Sequence, residues 1–394
     1  MNTVFNYTEA LFRSIDALMS RPETNSHSSA LNPEHTESTF TQLALELFNY
    51  QFERNFAYQA FCKGSGKTPA SVSRWQEIPA VSTVGFKEVP LTTLSDQERS
   101  HCFKSSGTGN GLRSKHYHDC ESLHLYSKSV LFWFMKHLLN AFDNGINEEG
   151  DKTTTRPVIL SLTPSLMDSS ESSLVYMIDQ VMQRLGDPES VYLGKTDSNG
   201  DWAINFELLQ TTLQKKISGH TKPILMIVTA FNFVHLLENW TSRGIRVQLP
   251  RFSRIMETGG YKGRSRAIEK QELLQWIENR IGVRELDIIS EYGMSELSSQ
   301  GYNGIAGMQK SRSSRNQDYF QFPHWTRVQI ISPETGLECV RGETGLIRIL
   351  DLANIKSVSM IETQDLGEIG DNGLILHGRR SEAEPKGCSL QSSE

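Results

Sequence analysis

The chain has 394 residues, 37% hydrophobic and 22% charged, which is typical of a globular protein with one large domain or two ordinary ones. Its formal net charge of −6 argues against a general role on nucleic acid or anionic membranes, since neither polyanion attracts an acidic protein. No apolar run reaches the length of a membrane span, and the five scattered cysteines contain no CxxC pair that would indicate a disulfide framework or zinc site. We therefore expect a cytoplasmic protein without membrane insertion.

The N-terminal region is expected to be helical. Residues 1–19 predict an amphipathic helix and not a signal peptide, because Glu9 and Asp16 interrupt the apolar stretch. A polar, proline-containing linker is expected from residue 21 to residue 39. Apolar side chains at helical spacing then predict one helix over residues 40–62.

Strand and helix patterns alternate through the middle of the chain. Buried strands are predicted over 157–162, 222–230 and 286–290, with helical patterns between them. This alternation predicts an α/β fold with mostly parallel sheets flanked by helices. After Phe322 the pattern changes to short strands and turns, which predicts a β-rich C-terminal subdomain. The expected units are an N-terminal helix and linker (1–39), an α/β domain (40–322), a β-rich subdomain (323–376) and a short cysteine-bearing tail (377–394).

Two glycine-rich stretches could bind phosphate. FCKGSGKTP ends like a Walker A loop but has Phe61 where that motif needs its first glycine, so it predicts a helix-ending turn. FKSSGTGNGLRSKHY, residues 103–117, combines glycines and small hydroxyl residues with Arg113 and Lys115, and it precedes a helical run. Backbone N–H groups, hydroxyls and cations of this kind suit phosphate oxygens. The adjoining residues His116, His118, Asp119 and Cys120 are expected to form a polar start to the helix. Metal binding by them is a second possibility.

Three further motifs follow in order. SEYGMSE (290–296) comes directly after a predicted strand, which places Tyr292 and Glu296 at the edge where open parallel sheets bind ligands. TQDLG (363–367) is expected between two strands, and Gly378-Arg379 comes soon after it. The order SSGTG, YGMSE, QDLG, GR resembles the adenylate-forming superfamily of acyl-CoA synthetases and related ligases.

A narrower resemblance is carried by FKEVPLTTLSDQE, METGGYKGRSR, FPHW and the terminal RRSEAEPKGCSL. From about residue 78 onward the chain resembles the acyl-protein synthetase (LuxE-like) family of bacterial bioluminescence. The resemblance implies an ATP-dependent acid–thiol ligase that activates a fatty acid as acyl-AMP. It further implies that the acyl group moves to a C-terminal cysteine and then to an acyl reductase partner.

The same resemblance implies a role for each matching residue. The ATP phosphates would be held by Ser105, Ser106, Gly107, Thr108, Gly109 and Lys115. Gly259, Gly260 and Tyr261 would lie near the adenine and Tyr292 would flank it, while Asp365 would accept the ribose hydroxyls, with Arg379 near the ribose or at a hinge. Glu296 would hold Mg²⁺, which prefers oxygen ligands. Cys388 would accept the acyl group.

Several alternatives stay open at this stage. Cys388 could be an inert terminal thiol, Glu296 a surface carboxylate, Asp365 a turn residue and Tyr261 a packing residue. The other four cysteines are expected to be structural and buried. In most adenylate-forming enzymes a C-terminal lid domain supplies a lysine for the adenylation step. The motifs found here do not include that domain, and Lys386 and Lys104 are candidates to replace its lysine. Alternative functions are an acyl-CoA or acyl-carrier-protein ligase and a non-catalytic nucleotide-binding scaffold.

Overall fold

The computed structural model describes residues 2–21, 33–106, 112–140, 156–196, 202–219, 222–259, 270–310, 313 and 317–379. The α-helices of this part are α1 (Asn2–Met19), α2 (Pro33–Arg54), α3 (Phe56–Gly64), α4 (Gly85–Glu88), α5 (Cys120–Phe134), α6 (Ser173–Leu185), α7 (Phe206–Gly219), α8 (Ala230–Ser242) and α9 (Lys270–Ile281). The strands are β1 (Val81–Ser82), β2 (His101–Lys104), β3 (Lys115–His118), β4 (Val158–Ser161), β5 (Val191–Tyr192), β6 (Gly194–Thr196), β7 (Trp202–Ile204), β8 (Ile224–Thr229), β9 (Arg254–Thr258), β10 (Ile288–Tyr292), β11 (Gly301–Tyr302), β12 (Thr326–Ile331), β13 (Gly345–Asp351), β14 (Met360–Gly370) and β15 (Gly373–Arg379). No helix among these residues combines the length and apolar character needed to cross a bilayer.

The N-terminal helices differ from the prediction in two respects. Helix α2 begins at Pro33, inside the expected linker, because proline suits the first turn of a helix, where no partner for its nitrogen is required. The helix expected over 40–62 is broken at Asn55, whose side chain accepts a hydrogen bond of 3.1 Å from the Tyr58 backbone N–H and caps α3. Helix α3 ends at Gly64, so FCKGSGKTP forms the predicted helix-ending turn.

A six-stranded sheet forms the centre of the α/β part, in the order β11–β10–β9–β8–β4–β5. Its pairs are parallel except for β10–β11. Alternate residues of β8 enter opposite cores: Met226 packs with α7, α8 and α9, whereas Leu225 and Ile227 pack with α5 and α6. Helices therefore cover both faces of a mostly parallel sheet, and the predicted fold class is confirmed.

The C-terminal part is β-rich, as predicted. Strands β12, β13, β14 and β15 form an antiparallel array, and β1 adds to β14 in parallel. Its core also contains apolar residues of α1 and α2, among them Ile15 and Phe48. The TQDLG motif does not lie between strands: it lies within β14, so Asp365 is a strand residue and not a turn residue.

A two-stranded hairpin, β2–β3, carries both ends of the predicted phosphate loop. His116 and His118 lie on β3 and not at a helix start, and both are buried. Asp119 caps α5, which begins at Cys120. Burial lowers the pKa of His116 to about 4, so this side chain is neutral near pH 7.

Candidate active site

The side chains of Tyr292, Asp365 and Arg379 meet where the two large sheets join. Tyr292 ends β10, and its hydroxyl donates a hydrogen bond of 2.8 Å to Asp365 Oδ2. Asp365 and Arg379 are directly opposite each other in the β14–β15 pairing, and Arg379 Nε lies 3.5 Å from Asp365 Oδ1. Burial first, and then the Asp365 carboxylate, hold the pKa of Tyr292 well above its ordinary value. The structure thus brings three of the sequence-predicted residues into one cluster.

Two phenylalanines fix the Tyr292 ring. Phe320 and Phe322 contact it in edge-to-face geometry, with ring centroids 6.3 and 6.1 Å away. Phe322 is itself held against Gly301, where an added Cβ would lie 2.8 Å from the ring. A Cβ at Gly293 would lie 2.4 Å from Glu291 Oε1, so a larger residue there would have to displace the Glu291 carboxyl group.

Glu296 is a buried carboxyl group, with 5% of its surface exposed. Burial raises its pKa, while the facing Ser114 hydroxyl and the more distant charges of Arg379 and Lys87 oppose that effect. Its position is not that of a surface carboxylate. A divalent cation bound to this buried carboxyl group would favour its ionised form and offset the desolvation.

The chain around Glu296 is fastened to β13. The Asp351 carboxylate accepts hydrogen bonds from the Ser298 N–H (3.0 Å) and the Ser299 hydroxyl (2.9 Å). Asn354 donates a bond of 2.8 Å to the Glu296 carbonyl. These contacts hold the Glu296 backbone in one position relative to the C-terminal β-sheet.

The ends of the phosphate loop close on each other and on the Glu296 segment. Ser114 N–H donates to Ser105 Oγ (3.0 Å), and Ser105 N–H donates to the Ser114 carbonyl (3.2 Å). His116 Nδ1 lies 2.9 Å from the Ser295 carbonyl, which joins β3 to the residue before Glu296. Ser106 and Lys115 are exposed at the loop ends. The predicted phosphate and metal residues therefore come from adjacent segments.

The ends of β9 and β10 are joined by a side-chain contact that the sequence did not indicate. Thr258 donates a hydrogen bond to Glu291, which lies opposite it in the parallel pairing. Burial raises the pKa of Glu291 to about 7, an effect that the Thr258 hydroxyl opposes. Gly259 follows directly with a φ of +80°, a value that favours glycine. The contact places Gly259 beside the strand that ends in Tyr292.

Other predicted residues fall outside the described ranges or differ from expectation. Those outside are Gly107, Thr108, Gly109, Gly260, Tyr261, Lys386 and Cys388. Of the four cysteines expected to be structural and buried, Cys62 is buried, Cys102 and Cys339 are half-buried, and Cys120 is exposed. Within the described ranges, no group of three or more His, Cys, Asp or Glu side chains could hold a metal ion, including the His116–Cys120 segment.

Comparison with known proteins gives a consistent result. A family model described as acyl-protein synthetase, LuxE, matches residues 14–394. The chain is 22% identical over 371 residues to the long-chain-fatty-acid–luciferin-component ligase of Vibrio harveyi, an alignment that covers 90% of this chain and 87% of that protein.

Solved structures share the fold. The 2-hydroxyisobutyryl-CoA ligase in complex with 2-HIB-AMP superposes with a TM-score of 0.61 at 11% identity, covering 91% of this chain and 72% of the ligase. An open conformation of that ligase, in complex with 2-HIB-AMP and CoA, gives a TM-score of 0.58 over 91% of this chain and 75% of its own. At this identity the likeness shows the fold alone, which is that of the adenylate-forming enzymes.

Proposed function

The chain belongs to the acyl-protein synthetase (LuxE) family of ligases, and from that premise we propose that it activates a fatty acid with ATP and transfers the acyl group to its own Cys388. The observation that carries the proposal is the cluster of Tyr292, Asp365 and Arg379 beside Glu296 and the phosphate loop. These groups lie at the carboxyl end of β10, the edge at which open parallel sheets bind ligands.

The proposed ATP site uses the residues in their sequence-assigned roles. Tyr292 flanks the adenine, with Gly259, Gly260 and Tyr261 near it. Asp365 accepts the ribose hydroxyls, since its carboxylate is fixed by Tyr292 and Arg379. The phosphates are held by the loop residues Ser105, Ser106, Gly107, Thr108 and Gly109 together with Lys115. Hydrogen-bond donors held in place before the reaction stabilise charge that develops on a phosphoryl group.

We assign Mg²⁺ to Glu296. The buried carboxyl group fits the ion because a divalent charge would offset its desolvation, and because Mg²⁺ bound to nucleotide phosphates needs only one or two protein carboxylates. The ion would supply charge neutralisation at the phosphates. Ser114 would orient the Glu296 carboxylate from the loop side.

The chemistry has two steps. A carboxylate oxygen of the fatty acid attacks the α-phosphorus of ATP, and the bond to the pyrophosphate oxygen breaks, leaving acyl-AMP and pyrophosphate. The thiolate of Cys388 then attacks the acyl carbon, and AMP leaves with the electron pair of the anhydride bond. Cysteine suits the second step since its thiolate is intrinsically nucleophilic, and neighbouring cations lower a thiol pKa.

Lys386 is our candidate for the lysine that assists adenylation. Of the two lysines proposed from the sequence, Lys104 is engaged by an ion pair with Glu171, which favours Lys386. The thioester at Cys388 would then serve an acyl reductase partner. We propose that all of this takes place in the cytoplasm.

Acid-dependent release of pyrophosphate tests the ligase reaction. We expect release from ATP only when a carboxylic acid is added, with a preference for long aliphatic chains. Absence of release would favour the nucleotide-binding scaffold, and release that is independent of added acid would contradict the ligase reaction. Release that becomes catalytic only when coenzyme A or a carrier protein is added would favour a ligase that uses a separate thiol acceptor.

A further inference from the structure

We propose that Glu171 is a positioning residue that clasps both ends of the phosphate loop and so sets the affinity for ATP. The inference rests on the proposed function, because it assigns Glu171 to the same nucleotide site. Glu171 lies between β4 and α6, and neither the SSGTG motif nor its neighbours in sequence include it.

The clasp consists of contacts to two residues on opposite sides of the loop. Lys104, the last residue of β2, pairs with Glu171 Oε1 through its ammonium group. Arg113, on the returning segment, places Nη1 3.1 Å from Glu171 Oε2. The backbone N–H of Lys104 also donates a bond of 2.8 Å to the Glu171 carbonyl. The Glu171 carboxylate thus joins Lys104, at the start of the loop, to Arg113, near its end.

The arginine extends the clasp into the loop itself. Arg113 Nε donates a hydrogen bond of 2.6 Å to the carbonyl of Ser105, the first serine of the proposed phosphate site. Because its Nη1 is held by Glu171, the guanidinium group bridges the carboxylate and the loop backbone. Loss of the Glu171 charge would therefore release both Lys104 and Arg113 from one fixed arrangement.

Glu171 is placed on a rigid support. The next residue, Ser172, caps α6, since its hydroxyl accepts a hydrogen bond of 3.3 Å from the Val175 N–H. The hydrogen bond and charge of Lys104, together with Arg113, hold the pKa of Glu171 below its ordinary value, so it is ionised near pH 7. A fixed, ionised carboxylate can orient two cations toward one edge of the sheet.

The clasp has a direct consequence for nucleotide binding. A phosphate loop that is held before ATP arrives loses less conformational freedom on binding than a mobile one. Without Glu171 the fatty-acid reaction would keep its chemistry, while ATP would bind between loop ends, at Ser105 and Arg113, that are held less firmly. The effect is thus expected in the KM for ATP more than in kcat.

The test compares Glu171→Gln with Glu189→Gln in the full chain. Glu189 is a matched control: its side chain is 38% exposed against 46% for Glu171, and it also contacts two cations, Lys216 and Lys222. It precedes β5 and so lies near the amino ends of the parallel strands, away from the loop. We measure the KM for ATP and kcat from acid-dependent pyrophosphate release with hydroxylamine present, which removes the acyl group from the enzyme and allows turnover, and we measure the Tm of both variants.

We expect Glu171→Gln to raise the KM for ATP by about three- to tenfold with kcat within about twofold of wild type, as for one partly exposed ion-pair network. Glu189→Gln should leave both constants unchanged at a similar Tm. In the background of Lys104→Met, Glu171→Gln should raise the KM by a smaller factor, because one contact of the clasp is already lost.

The proposal is overturned if Glu171→Gln leaves the KM for ATP unchanged, or if both Gln variants alter activity equally. If the wild-type protein releases no pyrophosphate, the proposed function fails first, and binding of ATP by calorimetry then tests the clasp alone. Weaker binding by Glu171→Gln than by Glu189→Gln supports the clasp in that case, and equal binding by the two variants overturns it.

Discussion

The phenol of Tyr292 donates a hydrogen bond of 2.8 Å to the carboxylate of Asp365, and so joins the last residue of the parallel strand β10 to the middle of β14. The two residues belong to different sheets. This contact brings two motifs that are 73 residues apart in sequence into one site. The position of the proposed ribose acceptor therefore depends on the tyrosine that is proposed to flank the base.

Substitution of Tyr292 by Phe should weaken both stability and nucleotide binding. The variant keeps the ring but removes the hydrogen-bond donor to the Asp365 carboxylate, a loss of about 1.5–3 kcal/mol. We expect a lower Tm in thermal unfolding and a higher KM for ATP. Tyr117→Phe is the control. Tyr117 lies on β3, outside the cluster, and its ring packs under the Arg99 guanidinium group. An unchanged KM for ATP in Tyr292→Phe would show that this hydrogen bond does not contribute to nucleotide binding.

Substitution of Glu296 by Gln should separate activity from stability. Because burial raises the pKa of Glu296, its ionised form is disfavoured in the metal-free protein, and a neutral amide of the same shape should be tolerated. We expect an unchanged or higher Tm without Mg²⁺, with pyrophosphate release reduced by about 10²–10³-fold. The measurement pairs calorimetry with the release assay. A large loss of Tm with only a small loss of activity would mean that Glu296 is structural.

Glu291 should make stability depend on pH near neutrality. Its pKa is raised from 4.5 to about 7 in the folded protein, so the folded state binds this proton more tightly than the unfolded chain does. The resulting stabilisation is complete below about pH 4.5 and is lost as the pH rises through about 7, at up to about 1.4 kcal/mol per pH unit.

Glu291→Gln should remove that dependence. The difference in unfolding free energy, variant minus wild type, should increase from pH 5 to pH 7 and level off above it. Denaturant unfolding at several pH values measures this difference. Glu334→Gln, in an exposed turn, serves as the surface control. A constant difference for Glu291→Gln would show that Glu291 titrates normally.

The sequence predicted the fold better than it predicted the contacts within the site. The run 224–229 was sufficient to predict a buried strand, since both of its faces are apolar and helices cover both. Asp365 was expected between strands, because aspartate is common in turns between strands, but the pairing of β14 with β13 and β15 overrides that preference.

Glu171 and Glu291 could not be found from the sequence. Glu171 lies in a segment without a motif and Glu291 lies inside SEYGMSE, but the partners of both carboxylates come from other segments. Only the assembled structure places Glu171 against both ends of the loop and Glu291 opposite Thr258. A local sequence pattern indicates residue types, whereas these contacts depend on which strands and loops the fold brings together at the edge of the sheet.

Intact-protein mass spectrometry tests the central claim most directly. The protein is incubated with ATP, Mg²⁺ and a long-chain saturated fatty acid, and the wild type is compared with Cys388→Ser and Cys120→Ser. Cys120 is the matched control because it is an exposed thiol in the described part of the chain. We predict one hydroxylamine-labile acyl group on the wild type and on Cys120→Ser, and none on Cys388→Ser. An undiminished acyl group on Cys388→Ser would contradict the account.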